Sequence, residues 1–414
     1  MKCSLKIVLL FLMAAITASC GSYKVSRIGD IKDIDSNIKD NIRIDVSKIT
    51  ITEDIVIEKY KGLLREKLTA KNQRQVIKRY GDLLIDKGER LIVSDDTQSY
   101  RAGKEMISDA IDTYKIFIRK FPSDINSDYI YYQIARGYEL IERPDIAYQY
   151  LTHLTNNYKE SNYYQEAQFR RGEFLFVQRQ FNKAGYAYQS VLGKKYEKTK
   201  LYDKTLYKYA WVNFKLDRYN VSASNFIKLL DKHYAAKQIN DYEITDSADK
   251  SSTESIKDTL RATSLSFSYM GGSENIKKFT HNKEYQPLLY TSLAKLYENK
   301  KRYYDAINTY NKFIDSNKTS RHAYKFHQSI ITLYKSAGIA DAIIPEKIKF
   351  INNFGPGTAY QKSITKEEWD NLNKTIQANV FDLASHFHAN TKGKQKAKNA
   401  QNAEKWYRYY LTYY

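Results

Sequence analysis

The chain has 414 residues, and its 67 lysines and arginines outnumber its 47 aspartates and glutamates, giving a formal net charge of +20. A basic surface attracts nucleic acid, anionic lipid headgroups, acidic proteins or cell-wall polymers, or simply keeps a protein soluble. The two cysteines are too few for a disulfide scaffold, and no module typical of RNA or DNA binding is visible. We therefore expect no nucleic-acid partner.

Residues 1–19 are typical of an export signal that is removed from the mature protein. Two lysines form a basic start, residues 7–16 are apolar, and small residues lead into Cys20. An apolar stretch of this length is too short to cross a membrane. The pattern resembles a bacterial lipoprotein signal, although Thr17 stands where leucine is usual. The alternative is an ordinary secretory signal followed by a chance cysteine.

The lipoprotein resemblance implies that Cys20 is diacylated and becomes the mature N-terminus. Cys3 would leave with the signal, so no disulfide could form. By the same resemblance, Gly21 implies sorting to the outer membrane on its periplasmic side, or to the cell membrane in an organism without an outer membrane. The charged segment 20–52 has few aromatic residues and is expected to act as a tether.

From residue 53 onward, apolar residues recur at helical spacing. Residues 53–127 are predicted to form a divergent N-terminal helical repeat. Its two helices are expected to be separated by a long connection around residues 94–99. The second helix should end at Phe121-Pro122, because proline cannot continue a helix.

Residues 128–231 contain one pattern three times. Each copy has a small residue followed twelve positions later by a second one, and the copies start 37 and 38 residues apart. Large residues stand three positions before the second small residue and four and seven positions after it. The small pairs are Ala135 and Ala147, Gly172 and Ala184, Ala210 and Ser222, with a fourth copy downstream at Ala294 and Ala306.

Paired small residues let two antiparallel helices approach to about 8–10 Å, while the large residues cover the seam. One such hairpin cannot bury its apolar face alone, so neighbouring hairpins must stack into an all-α solenoid. The pattern resembles that of tetratricopeptide repeats (TPRs), although 37–38 residues per unit exceed the usual 34. The resemblance implies a TPR-like superhelix with an interaction groove along the first helices.

The rest of the chain is predicted to continue the array with two departures. Residues 232–286 should hold an inserted loop, over 232–255, and an abbreviated repeat. Residues 287–356 should form two TPR-like repeats. Residues 357–414 should form a divergent C-terminal repeat with a lysine-rich connection at 390–399.

The last helix is predicted to be strongly apolar, through Trp406, Tyr407, Tyr410 and Leu411. Terminal repeats normally present a polar outer face, because an uncapped end exposes apolar surface to water. We therefore expect further repeats, a partner protein or a second copy of the chain to cover this helix.

The TPR resemblance also implies which residues line the groove. In each first helix they are the position just after the small residue, the position three before it, and residues one turn further along. These are Tyr132, Arg136, Phe169, Glu173, Phe176, Tyr207, Trp211 and Lys215. Aromatic and arginine side chains are typical of binding hot spots. The alternative is that neighbouring helices cover these side chains.

The sequence shows no pattern typical of catalysis or metal binding. It lacks the hydrolase elbow, the zinc-protease motif and a phosphate loop. His386 and His388 are two positions apart, so on a helix they point to different faces. We predict no enzyme activity, no cofactor and no metal.

Three classes of function remain. The first is a lipid-anchored periplasmic TPR scaffold that binds an envelope protein or peptide in its groove, resembling repeat lipoproteins of outer-membrane assembly and envelope organisation. The alternative is a helical-repeat lipoprotein of polysaccharide uptake, whose exposed tyrosines stack on sugar rings. A helical lytic transglycosylase is the third, and no catalytic segment for it is visible.

Overall fold

A computed structural model describes residues 52–240, 243–281, 283–392 and 395–414. The predicted signal, Cys20 and nearly all of the predicted tether lie outside the described residues. The chain divides into two units, Met1–Lys59 and Tyr60–Tyr414, and the packing given below is that of the second unit.

The described residues form seventeen α-helices and a single isolated β-bridge, between Ile239 and Ile244. The helices are α1 (Glu53–Leu63), α2 (Ala70–Ile92), α3 (Thr97–Lys120), α4 (Ser127–Leu140), α5 (Pro144–Asn157), α6 (Tyr164–Val177), α7 (Phe181–Gln189), α8 (Tyr202–Lys215), α9 (Tyr219–Ala235), α10 (Lys250–Ser268), α11 (Ile276–Phe279), α12 (Gln286–Asn299), α13 (Tyr303–Ser316), α14 (Ala323–Ser336), α15 (Ala340–Phe354), α16 (Lys366–Ala389) and α17 (Lys396–Tyr413). Short 3-10 turns lie at Lys194–Tyr196, Gly272–Asn275 and Gln361–Ser363.

From α2 onward, the long helices pack mainly on the helices before and after them in the chain. Short connections make consecutive helices antiparallel, so the chain forms a row of stacked hairpins. This arrangement confirms the predicted all-α solenoid. Within each hairpin, the helix that comes first in the chain is called the first helix below.

The small residues that define the repeat lie in the core. All eight members of the four pairs are buried. In the first copy, Ala135 and Ala147 cluster with Leu151 and Leu154, which stand at the predicted offsets. Burying a leucine fully stabilises a fold by about 1.5–3 kcal/mol. The repeat pattern therefore records the packing of each hairpin.

In the second copy, a glycine lets a tyrosine ring lie directly on the helix backbone. A Cβ atom on Gly172 would stand 2.7 Å from Cδ1 and Cζ of Tyr188. The Tyr188 hydroxyl donates to the Glu173 carboxylate, which holds the ring in place. The first hairpin has the same arrangement, where a Cβ on Gly81 would lie 2.6 Å from Cε1 of Tyr114. At both glycines, the two helices of the hairpin therefore cross more closely than an alanine in the same place would allow.

The turns of the four repeat copies share one residue in the left-handed conformation. It lies seven positions after the small residue, with φ of 64° at Glu142, 58° at Arg179, 57° at Asp217 and 57° at Lys301. The next residue donates its N–H to the carbonyl five positions before it, which is the Schellman ending of a helix. The hairpin of α14 and α15 places Gly338 there, with φ of 70°.

Two connections are shorter than the sequence pattern predicted. The first hairpin turns over residues 93–96, not through a long connection, because Asp96 caps α3 by accepting the Ser99 N–H at 2.7 Å. The inserted loop ends at Asp249, which caps α10 in the same way. Polar capping residues thus begin helices in segments whose composition is typical of loops.

The chain itself covers three of the four apolar residues that the sequence analysis singled out on its last helix. Trp406 is 3% exposed and belongs to the core, while Tyr407 and Tyr410 pack partly buried against it. The long helix α16 provides this cover; for example, its Gln377 donates to the Tyr410 hydroxyl at 3.0 Å. The expected open apolar face is therefore wrong for these three aromatic residues. Leu411 does remain 81% exposed, so a partner or second copy at this end stays a prediction.

Candidate partner-binding site

The eight predicted groove residues lie on three consecutive first helices: α4, α6 and α8. Ion pairs join these helices, and α2 before them, along one face. The pairs are Arg136–Glu89, Arg170–Glu139 and Lys208–Glu173. Lys208 and Glu173 are 2.7 Å apart. Two of the predicted groove residues, Arg136 and Glu173, thus already bind neighbouring helices.

Tyr132 is also used within the fold. It is buried, and its ring stacks on Tyr163 at a centroid distance of 4.9 Å. Burial raises the pKa of its hydroxyl well above the usual value. Beside it, Arg170 donates from Nε and Nη2 to Glu166 Oε1 at 3.0 and 2.7 Å. Burial opposes ionisation of Glu166, but the charge and hydrogen bond of Arg170, together with a hydrogen bond from Tyr132 and the charge of Arg136, outweigh it and lower the pKa of that carboxyl.

The aromatic residues further along the array remain partly accessible, being half-buried or exposed. Four of them touch in sequence across α8, the start of α9 and the end of α10; they are called the aromatic face: Trp211, Phe214, Tyr219 and Tyr269. Centroid distances are 5.4 Å from Trp211 to Phe214, 5.4 Å from Phe214 to Tyr269, and 5.1 Å between the stacked Tyr219 and Tyr269. Tyr269 is 58% exposed. The aromatic face is therefore continuous and open at the Tyr269 end.

Charged groups hold the aromatic face in one arrangement. The Arg261 guanidinium lies 5.7 Å from the centre of the Trp211 ring and donates to Asp258 at 2.6 and 2.9 Å. The Tyr207 hydroxyl donates to the same carboxylate. At the other end, Tyr219 donates to Asp217 at 2.5 Å, and this bond raises the pKa of Tyr219 to about 12. The side chains are thus oriented before any partner arrives.

Three further predicted residues lie outside this face. Phe176 packs against Phe181 at 5.4 Å and lies 5.9 Å from the Lys208 ammonium, so it sits beside the ion pairs. Lys215 is exposed and has no ion-pair partner in the described part of the chain. Phe169 is half-buried, with its ring 5.9 Å from Tyr188.

Sequence reasoning missed three of the four members of the aromatic face. Phe214 stands four residues after Ala210, just as Phe176 stands four after Gly172, so the repeat register could have found it. The repeat pattern includes Tyr219 only as the residue three positions before Ser222. Tyr269 follows the inserted loop, which interrupts the repeat spacing, and no sequence signal places it beside Tyr219.

Neither a cluster of metal-ligating side chains nor a membrane-spanning helix is found among the described residues. Nowhere in the described ranges do three or more His, Cys, Asp or Glu side chains come together as metal ligands. His388 instead lies 3.3 Å from the Tyr407 hydroxyl through Nδ1. Of the helices that the structure describes, none is long and apolar enough to cross a membrane.

The chain matches no protein-family model and no curated protein. Among solved structures, it is similar to the apo form of RapI, with 11% identity over 73% of this chain and 99% of that one, at a TM-score of 0.34. A tetratricopeptide repeat protein from Parabacteroides merdae is 15% identical over 70% of this chain and 97% of that one, at 0.31. Naa15/Naa10 bound to HypK-THB is 12% identical over 87% of this chain and 52% of that one, at 0.35. At these scores the fold assignment rests on the hairpins themselves.

Proposed function

We propose that this protein is a lipid-anchored, TPR-like scaffold whose aromatic face binds an extended segment of an envelope protein. The main observation in support is the continuous aromatic surface over α8, α9 and α10, in which Tyr269 is largely exposed. An aromatic cluster that is partly exposed to water is typical of interaction sites. The segment would cross several helices, as the cluster does.

The fixed orientation of the side chains in the aromatic face supports this proposal. Binding is weakened when flexible side chains must be immobilised, at about 0.5–1.5 kcal/mol each. Here Arg261 already holds Trp211, and Asp217 already holds Tyr219. The aromatic face is therefore preorganised. Its edge also offers the free ammonium of Lys215 to an acidic group on the partner.

Crosslinking in intact cells tests the partner. A photoreactive amino acid in place of the exposed Lys215 should capture one defined envelope protein. Replacing Trp211 or Tyr269 by alanine should reduce capture about 30-fold, because a buried aromatic anchor contributes roughly 2 kcal/mol or more. Tyr304→Ala is the matched control, since this tyrosine is 69% exposed and lies outside the aromatic face. Unchanged capture by both aromatic-face variants would contradict the proposal.

The proposed anchor is Cys20, on the outer membrane and facing the periplasm. It is supported by the apolar stretch and small residues before this cysteine, which resemble a lipoprotein signal. More than one acyl chain is needed for stable attachment. Metabolic labelling with a fatty-acid analogue should mark the wild type and Cys3→Ala alike. Cys20→Ala should lose the label and enter the soluble fraction; a labelled Cys20→Ala protein would refute the anchor.

The second candidate function is glycan capture. The stacked pair of Tyr219 and Tyr269 favours it, because an exposed tyrosine can stack on the apolar face of a sugar ring. Binding of purified envelope polysaccharides to the wild type and to Tyr269→Ala separates the candidates. Polysaccharide retention that depends on Tyr269, together with no crosslinked protein, would favour the glycan candidate over the scaffold.

A further inference from the structure

A second surface feature lies between α5, α6 and α7 and shares no residue with the aromatic face. It is an open cavity of about 270 Å³. Pockets for drug-sized ligands hold about 300–1,000 Å³, so this cavity suits a small molecule or a single chemical group. Its floor includes the buried Leu175, and its polar lining includes Arg171 and Lys183.

Neutral groups hold the guanidinium of Arg171 in place. Its Nε donates to Thr152 Oγ1 at 3.2 Å and its Nη1 donates to Gln168 Oε1 at 2.7 Å. Gln168 in turn donates to the Tyr164 hydroxyl at 3.0 Å, which fixes the orientation of the amide. The guanidinium also lies 5.7 Å from the centre of the Tyr148 ring. Arg171 Nη2 has no hydrogen-bond partner among the described residues.

Arg171 differs from the preceding Arg170 in that no carboxylate in the cavity lining compensates its charge. Arg170 binds two carboxylates, those of Glu139 and Glu166, so its charge is compensated within the fold. None of the described residues lining the cavity carries a carboxylate. Lys183 is exposed at the rim and has no ion-pair partner in the described part of the chain. The cavity therefore presents two positive charges without a counter-charge.

Apolar walls surround these charges. The Tyr148 ring stacks on Phe174 at a centroid distance of 4.8 Å, which fixes one wall. Tyr186 adds an exposed aromatic ring to the lining, and the buried Leu175 contributes an apolar side chain. A guanidinium with a free N–H edge suits the oxygens of a carboxylate, and aromatic walls suit an apolar body. The ligand must therefore combine both properties.

We infer that this cavity binds a small organic acid, in which Arg171 and Lys183 hold the carboxylate and Tyr148 and Tyr186 enclose the apolar body. This site is independent of the aromatic face, and it stands whether or not that face binds a partner. Because Arg171 is oriented by neutral groups, no internal ion pair has to be broken when the acid binds to it.

Binding of phenylacetate, followed by calorimetry or by NMR shifts of the arginine side chains, tests this inference on the full chain. Phenylacetamide is the uncharged control of the same shape. Phenylacetate should bind saturably, at least tenfold more tightly than phenylacetamide. Inorganic phosphate should bind at least tenfold more weakly than phenylacetate, because it lacks the apolar body.

Two variants locate the site. Arg171→Gln and Lys183→Gln should each weaken phenylacetate binding at least tenfold, and Lys183 is exposed, so its variant keeps the fold. Arg179→Gln, which changes an exposed arginine outside the cavity, should bind like the wild type. Equal binding of acid and amide, or undiminished binding by Lys183→Gln, would overturn the carboxylate site. Phosphate that binds as tightly as phenylacetate would overturn the role of the apolar walls.

Discussion

Replacing Gly172 by alanine tests how closely the helices of the second repeat must cross. The new Cβ would lie 2.7 Å from two ring atoms of Tyr188, whereas carbon atoms normally stay about 3.5–4.0 Å apart. The ring has little room to move, because it is fully buried and its hydroxyl is bound to Glu173. The backbones of α6 and α7 must therefore separate.

The expected magnitude follows from two opposing effects. Alanine is favoured over glycine inside a helix by about 0.8–1 kcal/mol. Overpacking of a core costs about 1–3 kcal/mol. The net change should be a loss of up to about 2 kcal/mol in the free energy of unfolding. With a urea dependence of about 2 kcal/mol per molar, the unfolding midpoint should fall by up to about 1 M.

A double variant serves as the control, because the preceding repeat already packs an alanine against a leucine at the two positions that hold Gly172 and Tyr188 here. In the preceding repeat, Ala135 occupies the glycine position and Leu151 occupies the tyrosine position. In the background of Tyr188→Leu, Gly172→Ala should therefore stabilise the protein, with a coupling energy of at least about 1 kcal/mol. A Gly172→Ala variant more stable than the wild type would show that the crossing is not sterically limited.

Three further predictions concern the turns and the half-buried carboxyl of Glu346. Lys301→Gly should stabilise the fold by about 0.5–1 kcal/mol, because φ there is 57° and glycine adopts this conformation without strain. Gly338→Ala should destabilise it by about 1–2 kcal/mol through the backbone alone, because φ is 70° and the added Cβ would touch no other atom. Urea unfolding of the two variants should therefore shift in opposite directions. Burial opposes ionisation of Glu346, but His327, 2.6 Å away, and Lys349 outweigh it and hold its pKa below the usual 4.5. The stabilisation by Glu346 should be complete above pH 4.5 and be lost as the pH falls through the lowered pKa. Glu346→Gln should thus be less stable at pH 7 and lose less on acidification; parallel pH profiles would contradict this.

The sequence by itself determined the solenoid and its crossings. The two small residues of each repeat are only twelve positions apart, and they set where two neighbouring helices can touch. The helix crossing can therefore be predicted from local sequence alone. The Ala135–Ala147 and Ala210–Ser222 pairs are buried in the core as this spacing requires. The interpretation of Cys20 as an anchor also depends only on local sequence and stays a prediction.

The tertiary structure decided which groove residues stay available, because exposure depends on residues far apart in the chain. Arg136 is occupied by Glu89, 47 positions away, and Glu173 by Lys208, 35 positions away. Tyr269 joins the aromatic face only because α10 packs on α9 after an insertion that has no repeat register. The same reason applies at the end of the chain, where the long helix α16 buries Trp406. Spacing sets contacts between neighbours in sequence, whereas the packing of whole helices sets what remains exposed.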